Sequence, residues 1–168
     1  PSTVDIPVTK IWVDNDNQDG LRPTKITVKL LANGGEVAPK DITSETDWKE
    51  TFTGLPKFKD GKEIVYTLQE ENVENYSPSI DQESYTITNT HTPGKKTLSV
   101  TKQWDDANNQ DGLRPKEIRV QLYAGDQKLG KEVVLSADNK WTHTFEKLAE
   151  KANGQAIHYS VKEVDVPE

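Results

Sequence analysis

The chain has 168 residues, of which 32% are hydrophobic and 29% are charged, and its formal net charge is −7. The acidic balance and the lack of a basic run disfavour nucleic acid as a partner, and no stretch has the length of a membrane span. Four Trp, five Tyr and three Phe argue against disorder, while the absence of Cys excludes disulfides and thiol chemistry. We expect a folded chain with a lean core, cut from a longer protein.

An internal repeat organises the sequence. The stretch VTKIWVDNDNQDGLRP at residues 8–23 recurs as VTKQWDDANNQDGLRP at residues 100–115. Further along, IVYTLQE at residues 64–70 recurs as IHYSVKE at residues 157–163. Repetition over such a length predicts tandem domains, because solenoid units are much shorter.

The predicted boundary lies in the short Pro/Gly hinge TPGKK, residues 92–96. It gives a complete domain over residues 1–93 and a second domain over residues 94–168. After IVYTLQE the first domain continues to a further strand, YTITNT, whereas the second copy ends soon after its matching segment. By comparison with the first copy, the second domain is expected to lack its last strand.

Short alternating segments separated by turns dominate each domain. Ile26, Val28 and Leu30 alternate with polar residues, as a half-buried strand requires. Pairs such as Asn153-Gly154 mark tight turns. With no long helical period, the pattern predicts an all-β fold with an antiparallel β-sandwich in each domain. One segment, EKLAEKA at residues 146–152, is compatible with a single helical turn.

The strand YTITNT contains a polar residue in an apolar row. Alternation places Asn89 on the same face as Tyr85 and Ile87. A buried carboxamide must find hydrogen-bond partners or cost a few kcal/mol. We therefore expect Asn89 to belong to a buried polar site.

Two other strands place a charged residue in an apolar row. Lys10 shares its row with Val8 and Trp12, and Glu70 shares its row with Tyr66 and Leu68. Lys102 and Glu163 occupy the matching positions of the second copy. A Lys or Glu near a strand end is ordinarily solvated, and a buried Lys–Glu ion pair is a second interpretation.

A chemical interpretation accounts for the three polar groups together. Desolvation lowers the pKa of a Lys and raises that of a Glu, so both can be neutral in a core. The neutral amine of Lys10 is then a nucleophile, and a protonated Glu70 can polarise the carboxamide of Asn89. The product is an amide crosslink between two side chains, formed once with release of ammonia.

Three motifs occur in a characteristic order: VTKIW…DGLRP, YTLQEENVENY and YTITNTHTP. Together they resemble the repeated B-type domain of Gram-positive collagen adhesins, the Cna B-type family. The resemblance covers Thr3 to Pro93, and Leu98 to Pro167 less its end. It implies a reversed immunoglobulin-like β-sandwich with an intramolecular Lys–Asn isopeptide bond. Carried over by position, Lys10 is the amine, Asn89 the acceptor and Glu70 the promoting acid. Lys102 and Glu163 form a half-site in the second domain, for which this chain offers no matching Asn.

Other candidate sites have weaker patterns. DNDNQDG, Asp14 to Gly20, invites a calcium-loop interpretation, but its spacing departs from an EF-hand and an Asn/Asp-rich turn explains it as well. His91, His143 and His158 lack zinc-ligand spacing. The four Trp residues at matched repeat positions favour core or sandwich-rim packing over a carbohydrate platform. We expect no metal and no cofactor.

The leading functional hypothesis is a structural stalk module of a bacterial surface adhesin, anchored to the cell wall through its parent protein, and not an enzyme. Its expected partners are neighbouring repeat domains, with a host matrix protein contacted through other domains. One alternative is a module that itself binds host extracellular matrix. Another is a ligation half, in which the second domain awaits a complementary strand.

Overall fold

The computed structural model describes residues 2–164, and these contain strands and turns but no α-helix. The predicted all-β class is therefore confirmed. The chain divides into two compact units, Pro1–Thr92 (unit 1) and Pro93–Glu168 (unit 2). Short 3-10 turns occur at Ser44–Thr46 in unit 1 and at Ala137–Asn139 in unit 2.

Unit 1 is built from two sheets and a small hairpin. One sheet has the strand order β4-β1-β9-β8, the other has the order β3-β2-β7, and β5 pairs with β6. The strands of its described part are β1 (Thr3–Val13), β2 (Lys25–Ala32), β3 (Gly35–Thr43), β4 (Lys49–Pro56), β5 (Phe58–Lys59), β6 (Lys62–Glu63), β7 (Tyr66–Glu70), β8 (Ser77–Asp81) and β9 (Thr86–Thr90).

The two sheets of unit 1 bury their alternating apolar residues against each other. Val8 on β1 and Ile87 on β9 share one buried cluster with Val28 and Leu30 on β2 and Leu68 on β7. All five have at most 1% of their surface exposed. Burying one such side chain contributes about 1.5–3 kcal/mol, so this shared layer makes the two sheets a sandwich.

The first and last strands of unit 1 are neighbours and run in the same direction. β1 pairs with β9 in parallel, with Lys10 opposite Ile87 and Trp12 opposite Asn89. This pairing departs from the purely antiparallel sandwich that the sequence predicts, because alternation fixes the faces of a strand but not its direction. The predicted strand YTITNT starts one residue later than expected, at Thr86, because Tyr85 adopts a left-handed φ of 54°.

Unit 2 repeats the arrangement within its described part. Its sheets have the orders β10-β13 and β12-β11-β16, and β14 pairs with β15. The strands are β10 (Lys95–Thr101), β11 (Glu117–Ala124), β12 (Gln127–Ser136), β13 (Thr142–Ala149), β14 (Lys151–Ala152), β15 (Gln155–Ala156) and β16 (Tyr159–Val164).

The possible helical turn at residues 146–152 is wrong. Most of that segment belongs to β13, which pairs with β10 from Thr142 to Ala149. Lys147 has a φ of 58°, which a right-handed helix does not allow. Its counterpart in unit 1, Gly54, has a φ of 66°, so both units bend this strand at the same place.

A left-handed turn follows the first strand in both units. Asn15, Asp16 and Asn17 have φ values of 52°, 56° and 60°, and the matching residues 107–109 have φ values of 52°, 58° and 62°. Asn and Asp tolerate this region better than other residues that carry a Cβ, because their short side chains bond locally. Ala107 is the one residue of these six without such a side chain.

A buried carboxylate stabilises this turn in unit 1. Asp14 is 2% exposed, and its Oδ1 accepts a hydrogen bond from the backbone N–H of Asn17 at 3.0 Å. The Arg22 guanidinium donates to both carboxylate oxygens, at 2.6 and 3.0 Å, and the Tyr76 hydroxyl donates to Oδ2 at 2.7 Å. Burial by itself would raise the pKa of Asp14, but these hydrogen bonds outweigh it and lower the pKa to about 2.

Acid should remove a stabilising contribution from unit 1. A carboxyl with a depressed folded-state pKa stabilises the fold above its unfolded value of about 3.9, and the contribution is lost as the pH falls to about 2. The midpoint of urea unfolding of unit 1, measured from pH 5 downward, should therefore fall more steeply in the wild type than in Asp14→Asn. Asp16→Asn, which removes an exposed carboxylate of the same turn, is the control and should keep the wild-type slope. Equal slopes for Asp14→Asn and the wild type would contradict this role.

Ala107→Asn should stabilise unit 2. It restores the residue that unit 1 has at the same left-handed position, and the relief of backbone strain is worth about 0.5–1 kcal/mol. The reverse change, Asn15→Ala, should destabilise unit 1 by a similar amount. Calorimetry that resolves the unfolding of unit 1 from that of unit 2 would check both changes. A lower unfolding temperature of unit 2 in Ala107→Asn would contradict the idea that Ala107 is strained.

Candidate functional site

Lys10 lies in the interior of unit 1. It lies on β1 between the half-buried Thr9 and the exposed Ile11, which is 44% exposed, while Lys10 itself is only 4% exposed. Its backbone N–H donates to the Trp48 carbonyl at 2.8 Å, which fixes this part of β1. Its Nζ lies 4.4 Å from the centre of the Trp12 ring. The Lys10 amine therefore ends in an aromatic, water-poor environment and does not reach solvent.

Glu70 meets this amine from the opposite sheet. It is the last residue of β7, and its Oε2 lies 2.7 Å from Lys10 Nζ. The side chains of Lys10 and Glu70 are 0% and 3% exposed. The neighbouring Glu71 is exposed, so the structure gives Glu70, and not Glu71, the inward position.

Asn89 completes the polar group of unit 1 from a third strand. It is 0% exposed, and because Trp12 is its partner across the parallel β1–β9 pair, it lies on the same face as Trp12 and Lys10. Neither its Oδ1 nor its Nδ2 has a hydrogen-bond partner among the described residues. Leaving a buried amide unsatisfied costs about 1–3 kcal/mol, which is unusual for a carboxamide in a native core.

The environment of Lys10 disfavours the protonated form of its amine. Burial lowers the pKa of its amine, against the opposing effects of the hydrogen bond and the negative charge of Glu70. A buried pair of this kind stabilises a fold poorly, because both ions lose their hydration. The Lys10–Glu70 contact is therefore a poor source of stability for unit 1.

Aromatic side chains enclose this site. The rings of Trp12 and Trp48 meet edge to face with centres 5.2 Å apart, and Tyr76 packs on Trp12 at 5.0 Å. Trp12 and Trp48 pack against the core of unit 1, and Trp104 and Trp141 pack against that of unit 2. The core interpretation of the four Trp residues is thus confirmed. Tyr76 was missed, because only the folded structure shows that it approaches Trp12.

Unit 2 contains a more exposed version of the same pair. Lys102 Nζ lies 3.0 Å from Glu163 Oε2, and the two side chains are 27% and 48% exposed. An open cleft of about 180 Å³ lies beside the pair, lined in part by Val100, Val120 and Val161. β10 pairs only with β13 within the described residues, whereas β1 has β9 on its other side. The difference in burial follows from that missing cover.

The structure argues against calcium at the turn after the first strand. Asp14, the first residue of the DNDNQDG segment, is fully engaged by Arg22, Tyr76 and the turn backbone. Residues 2–164 contain no group of three or more acidic, His or Cys side chains placed to hold a metal ion. Over the same residues, no helix is long and apolar enough to cross a membrane.

Sequence and structure comparisons agree on the relatives of this chain. The model of the Cna protein B-type domain matches residues 6–90 and 98–168. A collagen adhesin of Staphylococcus aureus is 51% identical over 164 residues, which is 98% of this chain and 14% of the adhesin. The chain therefore spans about a seventh of that relative.

Two solved structures from the same organism also match. A single B repeat unit (B1) of the collagen-binding surface protein Cna is 49% identical, with a TM-score of 0.52, over 98% of this chain and 87% of that one. The structure of two B repeat units (B1B2) is 49% identical, with a TM-score of 0.53, over 99% of this chain and 44% of that one. One B repeat unit thus matches units 1 and 2 together. With both units matched, the chain belongs to the Cna protein B-type domain family.

Proposed function

We propose that this chain is a spacer segment in the stalk of a Gram-positive surface adhesin, outside the cell, and that a Lys10–Asn89 isopeptide bond locks unit 1. Membership of the B-type family and the similarity to adhesin B repeats support the spacer role. The observation that carries the crosslink is the 2.7 Å Lys10–Glu70 contact in a dry core, on the face of the β1–β9 pair that also has Asn89, whose amide finds no hydrogen-bond partner among the described residues.

The proposed reaction needs only these three side chains. Transfer of one proton from Lys10 to Glu70 across their hydrogen bond leaves a neutral amine and a carboxylic acid. The amine attacks Cγ of Asn89 while Glu70 donates a proton to Oδ1. Glu70 then carries one proton from the attacking nitrogen to the amide nitrogen of Asn89, and this nitrogen leaves, takes up the proton of Oδ1 as the carbonyl re-forms, and departs as ammonium. A C–N bond forms and a C–N bond breaks, and Glu70 returns to its starting state. The reaction occurs once per molecule, so the chain is not an enzyme.

The strand topology explains why such a bond suits a stalk. The crosslink joins the first strand of unit 1 to the last, and β1 and β9 run in parallel. Force on the two ends of the unit would therefore shear these strands past each other. A covalent bridge between them takes that load before the hydrogen bonds of the ladder do. By analogy with a disulfide that closes a long loop, it also stabilises the fold by about 4 kcal/mol.

In unit 2, we infer that Lys102 and Glu163 form a half-site, completed when a strand carrying an Asn pairs in parallel with β10. The basis is the repeat: β9 occupies that position beside β1 in unit 1, and the Lys–Glu contact is present in both units. The completing strand would also exclude water from the pair. Neighbouring repeat units of the same adhesin are the expected partners of the chain.

Matrix binding is the second candidate function, and the name of the collagen adhesin relative is the observation that favours it. Saturable binding of the isolated chain to immobilised collagen or fibrinogen at micromolar concentration would favour this role over a spacer. Within the proposal above, contact with host matrix is made through other domains of the parent protein.

The intact mass should show one crosslink. We expect the purified chain to be lighter than its sequence by one ammonia, because within residues 2–164 only unit 1 has a buried Asn on the same face as its Lys–Glu pair. Lys10→Ala, Asn89→Ala and Glu70→Ala should each have the full mass of their own sequence. Glu71→Ala, which changes the exposed neighbour, is the matched control and should keep the deficit. If Glu71→Ala had its full mass while Glu70→Ala kept the deficit, the promoting acid would be Glu71 and the proposed role of Glu70 would be wrong.

A peptide based on YTITNT should complete the half-site of unit 2. Mixed with the chain, it should give an adduct that survives boiling in detergent, with loss of one ammonia. The adduct should disappear with Lys102→Ala or when the Asn of the peptide is replaced by Ala. Failure to form the adduct at millimolar peptide would rule out the half-site and leave the crosslink of unit 1 unaffected.

A further inference from the structure

His91 lies where the chain leaves unit 1. It directly follows β9, and its backbone N–H donates to the Val13 carbonyl at the end of β1 at 2.9 Å. Its side chain is 17% exposed and makes two polar contacts. Nε2 lies 2.8 Å from Asp19 Oδ2, and Nδ1 lies 3.0 Å from the backbone carbonyl of Asn75. His91 therefore joins the end of β9 to the turn after β1 and to the segment before β8.

The chemistry of its two partners fixes the protonation of His91. A carbonyl oxygen only accepts hydrogen bonds, and so does an ionised carboxylate. Both ring nitrogens must therefore carry a proton, and only the imidazolium cation has two N–H groups. A neutral ring would place a nitrogen lone pair against an oxygen lone pair at one of the two contacts.

The surrounding groups favour the cation. The charged or titratable groups that face the ring are Asp19 and Asp14 in the turn after β1 and Tyr76 before β8, whose ring centre lies 5.5 Å from that of His91. Arg22 neutralises Asp14, which leaves Asp19 as the close counter-ion. The hydrogen bond that the His91 ring donates to Asp19 raises the pKa of His91, against a smaller lowering by burial, and the hydrogen bond to the Asn75 carbonyl raises it further.

We propose that His91 is a proton-operated latch that fastens the exit segment of unit 1. In the imidazolium form it ties the end of β9 to Asp19 and Asn75, and loss of one proton breaks one of these ties. A His with a raised folded-state pKa stabilises the fold fully below its unfolded value of about 6.5, and this contribution is lost as the pH rises through the folded value. The latch is therefore closed in mildly acidic surroundings and opens toward alkaline pH.

The latch goes beyond the proposed crosslink and does not depend on it. Asn89 is the last residue that the crosslink would hold, so Thr90 and His91 are held by non-covalent contacts alone. Val13 pairs with Thr90 at the same end of the β1–β9 ladder. When the latch opens, the first residues to loosen are those that lead into the hinge between the units. Protonation of His91 thus sets how many residues of the exit segment are held by the fold.

Nuclear magnetic resonance of the whole chain tests the latch in two ways. The ring resonances of His91 should titrate with a midpoint above 6.5, the ordinary value, and should show two ring N–H protons below it. The protection of the His91 backbone amide against hydrogen exchange, corrected for the intrinsic rate, should fall about tenfold as the pH rises through that midpoint, because a charge-assisted hydrogen bond is lost.

Three variants make the result specific. In His91→Gln the amide at position 91 should have low protection at every pH. Asp19→Asn keeps the ring but removes its counter-ion, and the His91 midpoint should fall. His158→Gln, at an exposed His of unit 2, should behave as the wild type. A His91 midpoint at or below 6.5, or amide protection that does not change with its titration, would overturn the proposal, and neither outcome bears on the crosslink.

Discussion

The contact between Lys10 and Glu70 is the interaction on which the proposed crosslink of unit 1 depends. Two opposite charges with almost no exposed surface are a poor source of stability, since each loses its hydration. Their position makes sense if the charges are temporary. In the proposed reaction, a proton that moves across this 2.7 Å contact converts the ion pair into a nucleophile and an acid, on the same face of the sheet as a carboxamide that has no hydrogen-bond partner among the described residues. The sandwich keeps water away from this site, and it brings one polar side chain to it from each of the strands β1, β7 and β9.

The two units show how burial controls such a site. Both have the Lys–Glu contact, at 2.7 Å in unit 1 and 3.0 Å in unit 2, yet side-chain exposure is 0% and 3% in one and 27% and 48% in the other. Water screens the exposed pair, so it is an ordinary surface salt bridge of little energetic weight. In unit 1, β9 both brings Asn89 and covers the pair. The proposed acceptor, Asn89, and the cover that keeps water from the pair therefore come from the same strand.

The alternation of strand residues was enough to place Lys10, Glu70 and Asn89 inward, because a period of two leaves only two faces to choose between. It could not show that β1 and β9 run in parallel, since direction depends on how the chain crosses from one sheet to the other. The Asp14–Arg22–Tyr76 cluster and the His91–Asp19 pair also escaped sequence reasoning. Tyr76 and His91 are far from the turn along the chain, and each needs the finished fold to reach it. The helical turn predicted as possible at residues 146–152 does not form, because pairing with β10 makes most of these residues a strand although their composition suits a helix.

Tandem mass spectrometry of a proteolytic digest is the most direct test of the bond in unit 1. The digest should contain one branched peptide in which the Nζ of Lys10 is joined to the Cγ of Asn89, and it should be absent from Glu70→Gln prepared in the same way. Separate peptides with a free amine at Lys10 and an intact amide at Asn89, recovered from folded wild-type chain, would show that the three groups meet without reacting.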